Sequence, residues 1–312
     1  MAQWMAFLIV FLIAKVGFSA SLIFYDSMLS DITDEERMDY VSSQGYAWGY
    51  IGSCVPFVLC LVIVLGSDTL GIRMETAMGI AFVLVAVWWL LMSLPLLKNY
   101  EQKYYVEKKP HAIAQSFKRL GETFKNMKEE KQVFMFLLAF FFYIDGVYTI
   151  IDMATAYGSA LGLDSTGLLL ALLVTQIVAF PCAIIFGNLS YRIRTEKLIT
   201  VCIFAYLGIA IFAVFLKTQL QFWILAILVG MFQGGIQALS RSYFTKIIPE
   251  EHSGEYFGLM DICGKGASFV GTTIVSIVSQ LTGNISMGVG MIAILFCIGI
   301  VIFLKAVSMS RN

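Results

Sequence analysis

The chain has 312 residues, 59% of them hydrophobic and 13% charged, with a mean hydropathy of +0.83. A soluble domain carries about twice that charged fraction, so the composition excludes an ordinary soluble enzyme and implies a protein of the lipid bilayer. The net charge is zero, and no basic run is interleaved with aromatics outside an apolar segment, which argues against a nucleic-acid partner.

A helix that crosses a bilayer needs an apolar run of about 18 residues or more. Nine such runs follow one another, at about 4–25, 45–66, 75–97, 132–154, 166–187, 198–216, 219–240, 256–280 and 286–306. The pattern predicts an all-α polytopic membrane protein. The first run does not read as a secretory signal, because it lacks a basic start and Lys15 interrupts it. The connections are short except for 98–131. That connection divides the chain into an expected three-helix part (1–98), a linker (99–131) and a six-helix bundle (132–312). Within the linker, Ile113, Phe117, Leu120, Phe124 and Met127 recur at helical spacing. Lys118, Arg119, Lys125 and Lys128 lie on other faces, and Pro110 suits a first turn. This predicts an amphipathic helix on the membrane surface.

Basic residues orient the chain. With the N-terminus outside, the cytoplasmic connections hold Arg37, the lysines and arginine of 98–131, Arg192, Arg194, Lys197, Arg241, Lys246, Lys305 and Arg311. The external side holds Arg73 and Lys217. The C-terminus is therefore expected in the cytoplasm.

Polar residues are unevenly shared. The runs at 75–97, 198–216 and 286–306 have almost none and are expected to face lipid all round. The others carry Lys15, Asp145, Asp152, Gln176, Gln233, Gln237, Asp261 and Lys265. An ionisable residue in a span costs roughly 2.5–3.5 kcal/mol on insertion scales and usually faces a bundle interior or an aqueous path. Gln233, Gln237 and Arg241 fall at i, i+4 and i+8, on one helix face. Asp261 and Lys265 are one turn apart, and either neutralise each other in a packed bundle or line a path. Asp145, Tyr148, Thr149 and Asp152 share one side of their helix. Lys15, Asp145 and Lys265 each lie about 10–14 residues from a span end, near the middle of a roughly 30 Å core, where transporter sites tend to be. The expected arrangement is an Asp145–Lys265 pair across two helices, with Lys15 opposite and Asp145 as a proton acceptor. Gly146 reads equally as a loosened helix or as close packing. Gly45, Gly49 and Gly52, with Ser42, Ser43 and Ser53, read as a packing face, as does Gly234–Gly235.

Cys54, Cys60, Cys182, Cys202, Cys263 and Cys297 all sit in apolar segments without a CxxC pair, and His111 and His252 are far apart. No metal and no cofactor are expected. There is no phosphate-binding loop and no Ser–His–Asp grouping, so the chain does not read as an enzyme.

The stretches FYDSML, SSQGYAWGYIGS, WWLLMSLP, FFYIDGVYTIIDMATAYG, GNLSYRIRTEK, GGIQALSRSYFTKIIP and EYFGLMDICGKGASF together resemble the vacuole-effluxer family of the major facilitator superfamily. The likeness runs from about Phe24 to the C-terminus. It implies the facilitator fold, and it aligns the nine runs with the last nine of twelve helices, so three would be missing, supplied in one reading by another chain. GNLSYRIRTEK resembles the superfamily's gating-loop signature: Gly187, Arg192 and Lys197 fit, whereas Tyr191 replaces the usual aspartate and Arg194 the usual glycine. Arg241 is grouped with these gating residues. Asp26 stands where the family usually has asparagine, either as a titratable group at the cytoplasmic mouth or as a solvated helix-end acid. The resemblance implies export of a small solute, amino acids being the suggested cargo. With Asp145 as proton acceptor, the favoured reading is a proton-coupled secondary active transporter working by alternating access. The alternative is a non-transporting membrane subunit or an inactive remnant. A bacterial cell membrane is the expected location, or a vacuolar one if the chain is fungal.

Overall fold

The computed structural model of the chain describes residues 2–104, 119, 121, 123, 125 and 130–309. Among these, nine helices are long and apolar enough to cross a membrane. We label them α1 (Ala2–Ser27), α2 (Met38–Leu65), α3 (Met74–Asn99), α4 (Lys131–Ala160), α5 (Ser165–Leu189), α6 (Thr195–Val214), α7 (Gln219–Ile247), α8 (Ser253–Thr282) and α9 (Ile285–Met309). Most extend a few residues beyond the apolar runs, because helical hydrogen bonding continues into the polar interface after the hydrophobic pattern stops. The surface helix expected in 99–131 lies almost wholly outside the described residues.

Local chemistry sets several ends. Asp164 caps α5 by accepting from the Gly167 amide at 2.6 Å, and Thr218 with Gln221 forms a capping box at α7. Gly283, with φ of 66°, closes α8 in the left-handed conformation.

Helices α4 to α9 share one core. Phe136, Tyr143, Tyr206, Phe244, Phe296 and Phe303 are each almost fully buried within it. The helices approach closely at glycines. A Cβ on Gly146 would lie 2.6 Å from the Phe296 ring, and one on Gly299 would lie 3.0 Å from the Tyr143 backbone, so α4 and α9 pack with little between them. Of the two readings of Gly146, packing is the one seen. Gly234 and Gly235 of α7 likewise lie against Ala183, Tyr50 and Phe186.

Helix α2 docks on this bundle through Ala47 and Tyr50, which meet Ala179 and Ala183 of α5. Its glycine face is a partial correction. Gly45 packs closely, but an added Cβ at Gly49 or Gly52 would meet nothing within 4 Å.

The expectation that three runs face lipid all round holds for α3, none of whose apolar window is buried. It fails for α6 and α9. Cys202, Ile203 and Tyr206, and Ile292, Phe296 and Phe303, are buried against neighbouring helices. In a membrane, lipid and a neighbouring helix are equally apolar, so composition does not separate the two faces.

Candidate functional site

The i, i+4, i+8 face of α7 points at α2 and α1. Arg241 lies six residues before the end of α7 and is only 4% exposed. Its Nη1 donates to Asp26 Oδ1 of α1 at 3.0 Å, its Nε to Ser42 Oγ of α2 at 2.9 Å, and its Nη2 to the Ser42 carbonyl at 3.0 Å. Ser42 Oγ in turn donates to the Ala238 carbonyl at 2.7 Å. The guanidinium stands over the rings of Tyr46, at 4.7 Å, and Tyr25, at 5.3 Å. A buried charge is tolerable only when paired and hydrogen-bonded, and here the planar fork is divided between a carboxylate and a serine. Gly45 makes the room: a Cβ there would lie 2.9 Å from the Tyr25 hydroxyl and 3.2 Å from Nη2.

A second ion pair lies at the same end of the bundle. Lys246 Nζ donates to Asp39 Oδ2 at 2.8 Å, and Thr195 Oγ1 donates to the same oxygen at 2.6 Å. Nearby, Tyr40 and Tyr191 are in ring contact, and a Cβ on Gly187 would lie 2.7 Å from Ser43 Cβ. Among the described residues, the salt bridges that join α1–α3 to α4–α9 are these two, both at the end rich in lysine and arginine. The start of the long connection crosses this end as well. Asp31 accepts from the Tyr100 hydroxyl and from the amides of Tyr104, at 3.1 Å, and Lys103, at 3.3 Å. Tyr104 then donates to Glu250 beyond α7. Burial, with the Asp31 carboxylate beside it, pushes the Tyr100 phenol up; the Glu250 hydrogen bond does the same to Tyr104.

Asp145 lies deeper, on α4, and is fully buried. Its Oδ1 accepts from the Gly271 amide of α8 at 3.0 Å and from Thr149 Oγ1 at 3.2 Å; its Oδ2 is buried without a partner. The two helices can approach this closely because residue 271 has no Cβ, which would fall on Asp145 Oδ1 and Thr149 Oγ1. The expected Asp145–Lys265 pair is not formed. Lys265 is instead paired with Asp261, one turn back on its own helix and partly exposed. Lys265 and Gly271 are six residues apart, so they point about a third of a turn away from each other around α8.

The other expected residues are spread along α4, α5, α7 and α8, with Asp152 exposed. Asp152 accepts from Ser268 Oγ at 3.0 Å, and Gln237 Oε1 accepts from the Tyr50 hydroxyl at 2.6 Å. Tyr148 lies beside Gly264. Gln176 and Gln233 line a cleft between α4, α5 and α7. Lys15 is not brought to this group; it is exposed on α1, with Nζ 5.9 Å from the Phe18 ring. Arg192 and Lys197 are exposed, and neither forms a salt bridge among the described residues. Arg241 is not a loop residue but part of α7. Asp39, Ser42, Tyr46 and Thr195 were not singled out as site residues from sequence. No group of three or more His, Cys, Asp or Glu among the described residues is placed to hold a metal.

The family model described as "Vacuole effluxer Atg22 like" matches residues 1–312. The chain belongs to that family. This Atg22-like chain is 46% identical over 302 residues to the uncharacterized MFS-type transporter YxiO of Bacillus subtilis, which covers 96% of the chain and 71% of YxiO. It is 26% identical over 288 residues to autophagy-related protein 22 of Cryptococcus neoformans, covering 85% of the chain and 48% of that protein. The chain thus spans about half the length of its fungal relatives. Among solved structures, it is similar to the Escherichia coli fucose:proton symporter FucP (TM-score 0.64, 16% identity, 90% of this chain and 72% of that one). It is equally similar to a bacterial homologue of the iron transporter ferroportin (TM-score 0.63, 16% identity, 95% and 70%). At that identity the likeness speaks for the fold alone, which is that of the major facilitator superfamily. The chain is a membrane protein of a transporter family, not an enzyme.

Proposed function

We propose that the Atg22-like chain works as a secondary active transporter by alternating access, exporting small solutes, with amino acids as cargo and protons as the coupling ion. The observation that carries this reading is the Arg241–Asp26 pair. It joins α7 to α1 at one end of the bundle, with Lys246–Asp39 beside it. Two groups of helices that are held together at one end, and that open there in exchange for the other, are the two states such a carrier needs. Positive-inside logic puts this end in the cytoplasm, so the closed cytoplasmic mouth corresponds to an outward-facing state. The ferroportin homologue with a similar fold is described as outward-facing, which fits. FucP is a proton symporter, and the Bacillus relative favours a bacterial cell membrane.

Asp145 is the proposed proton carrier. It is a buried carboxylate between two helices, and its unpartnered Oδ2 is where a carried proton would sit. In the working unit further helices lie against α1 and α3, whose apolar windows are wholly unburied here. The test uses protein purified from its own membrane and reconstituted in vesicles. Amino-acid flux should follow an imposed pH gradient, and Asp145→Asn should remove that dependence. Flux that ignores the gradient in both proteins would end the proton-coupled reading; no flux of any amino acid would end the cargo assignment.

A further inference from the structure

Residues 100–104 leave α3 and cross the end of the bundle that holds the two salt bridges. One carboxylate holds them there. Asp31, in the corner between α1 and α2, is 6% exposed. Its Oδ2 accepts from the Tyr100 hydroxyl, and its Oδ1 accepts from the amides of Lys103 at 3.3 Å and Tyr104 at 3.1 Å. All three donors come from this one short segment. Withdrawing them would leave a buried carboxylate unsatisfied, which costs far more than losing a hydrogen bond exposed to water. The segment is therefore fixed to the corner of α1 and α2.

On its other side the hold is weaker. The Tyr104 hydroxyl donates to Glu250, in the turn between α7 and α8, and Glu250 is exposed. Water can replace either partner of such a bond. A cavity of about 310 Å³ lies between the segment, the end of α1 and the start of α8, with Phe24, Met28, Tyr104, His252 and Glu255 in its walls. Packing therefore does little to hold the segment against α8, and the Tyr104–Glu250 bond carries the contact.

We infer that residues 100–104 are a strap carried on the Asp31 corner, and that the Tyr104–Glu250 hydrogen bond is a latch that holds this end closed and releases when it opens. Asp31 positions the strap, and Tyr104 and Glu250 do the latching. The inference rests on the alternating-access reading. To the two salt bridges between α1–α3 and α4–α9 it adds a third, weaker link, at a place that water reaches.

The experiment reads the distance between spin labels at Glu36→Cys and Lys197→Cys, exposed positions at this end, in proteoliposomes of the full chain with its native cysteines replaced. Tyr104→Phe removes only a hydroxyl. It should raise the ratio of long to short distances by up to about tenfold, the range of one hydrogen bond. Glu250→Ala should do the same, and the double variant should shift no further than either one. In Asp31→Ala the amides of the strap should exchange hydrogen faster, and Tyr104→Phe should then add nothing. A wild-type distance distribution in Tyr104→Phe, or additive shifts in the double variant, would overturn the latch. Arg241→Gln separates the latch from the reading it rests on. If Arg241→Gln lengthens the distance and Tyr104→Phe does not, the latch alone falls. If no variant lengthens it, alternating access at this end falls, and the latch with it.

Discussion

Arg241 and Asp26, 215 residues apart in sequence, meet at 3.0 Å and tie α7 to α1. Removing one partner leaves the other without a counter-charge. Breaking a fully buried pair costs about 3–5 kcal/mol. Asp26 is 33% exposed on its side chain, so solvent screens part of this. Arg241→Gln should therefore lose about 2–3 kcal/mol, read as a lowered unfolding temperature in detergent. Arg241→Lys should recover only part of that loss, because an ammonium does not span Asp26 and both Ser42 oxygens as the guanidinium fork does.

The Lys246–Asp39 pair is supported by one hydroxyl from Thr195 and makes a smaller contribution. Asp39→Asn keeps an acceptor for Thr195 and removes the charge facing Lys246. A loss of about 1–2 kcal/mol is expected, in line with a charge-assisted hydrogen bond. Thr195→Val tests the same oxygen from the other side and should cost about 1 kcal/mol. Thermal unfolding checks both.

Glycine positions offer a contrast with an internal control. Gly271→Ala would force a methyl onto Asp145 Oδ1 and Thr149 Oγ1 and push α8 from α4. Overpacking of this kind costs about 1–3 kcal/mol. Gly49→Ala meets nothing within 4 Å and should be neutral or slightly stabilising, by up to about 1 kcal/mol from helix propensity. Equal effects at the two positions would contradict the close approach at Gly271.

Asp145→Asn separates fold from coupling. Asparagine Oδ1 still accepts from the Gly271 amide and from Thr149, so stability should change by less than about 1 kcal/mol. Flux driven by a pH gradient should fall at least tenfold, while exchange of solute without a gradient continues. Unchanged gradient-driven flux would remove Asp145 from the proton path.

Much of this architecture is written in hydropathy. The nine helices follow from apolar runs, and the inward face of α7 follows from the spacing of Gln233, Gln237 and Arg241. What periodicity leaves open is which residue on one helix meets which on another. Asp145 and Lys265 sit at similar depth, yet Gly271 takes the Asp145 contact, because a backbone amide is a donor on every residue and leaves no mark in the sequence. Asp39 reads as one more acid in the run from Asp31 to Asp39, but its burial depends on Lys246 and Thr195, which are distant in the chain. The packed faces of α6 and α9 are apolar on both sides, so only the arrangement of helices distinguishes them.

In the proposed transport cycle the Arg241–Asp26 end closes and opens. The most direct measurement places spin labels at Glu36→Cys and Lys197→Cys, both exposed at that end, with the six native cysteines replaced. Distances are then read by pulsed electron resonance in proteoliposomes. The expected result is a short distance that dominates at rest, a longer population in Arg241→Gln, and a shift between the two when amino acids and a pH gradient are supplied. A single short distance, unchanged by the substitution and by every solute and gradient, would contradict the account.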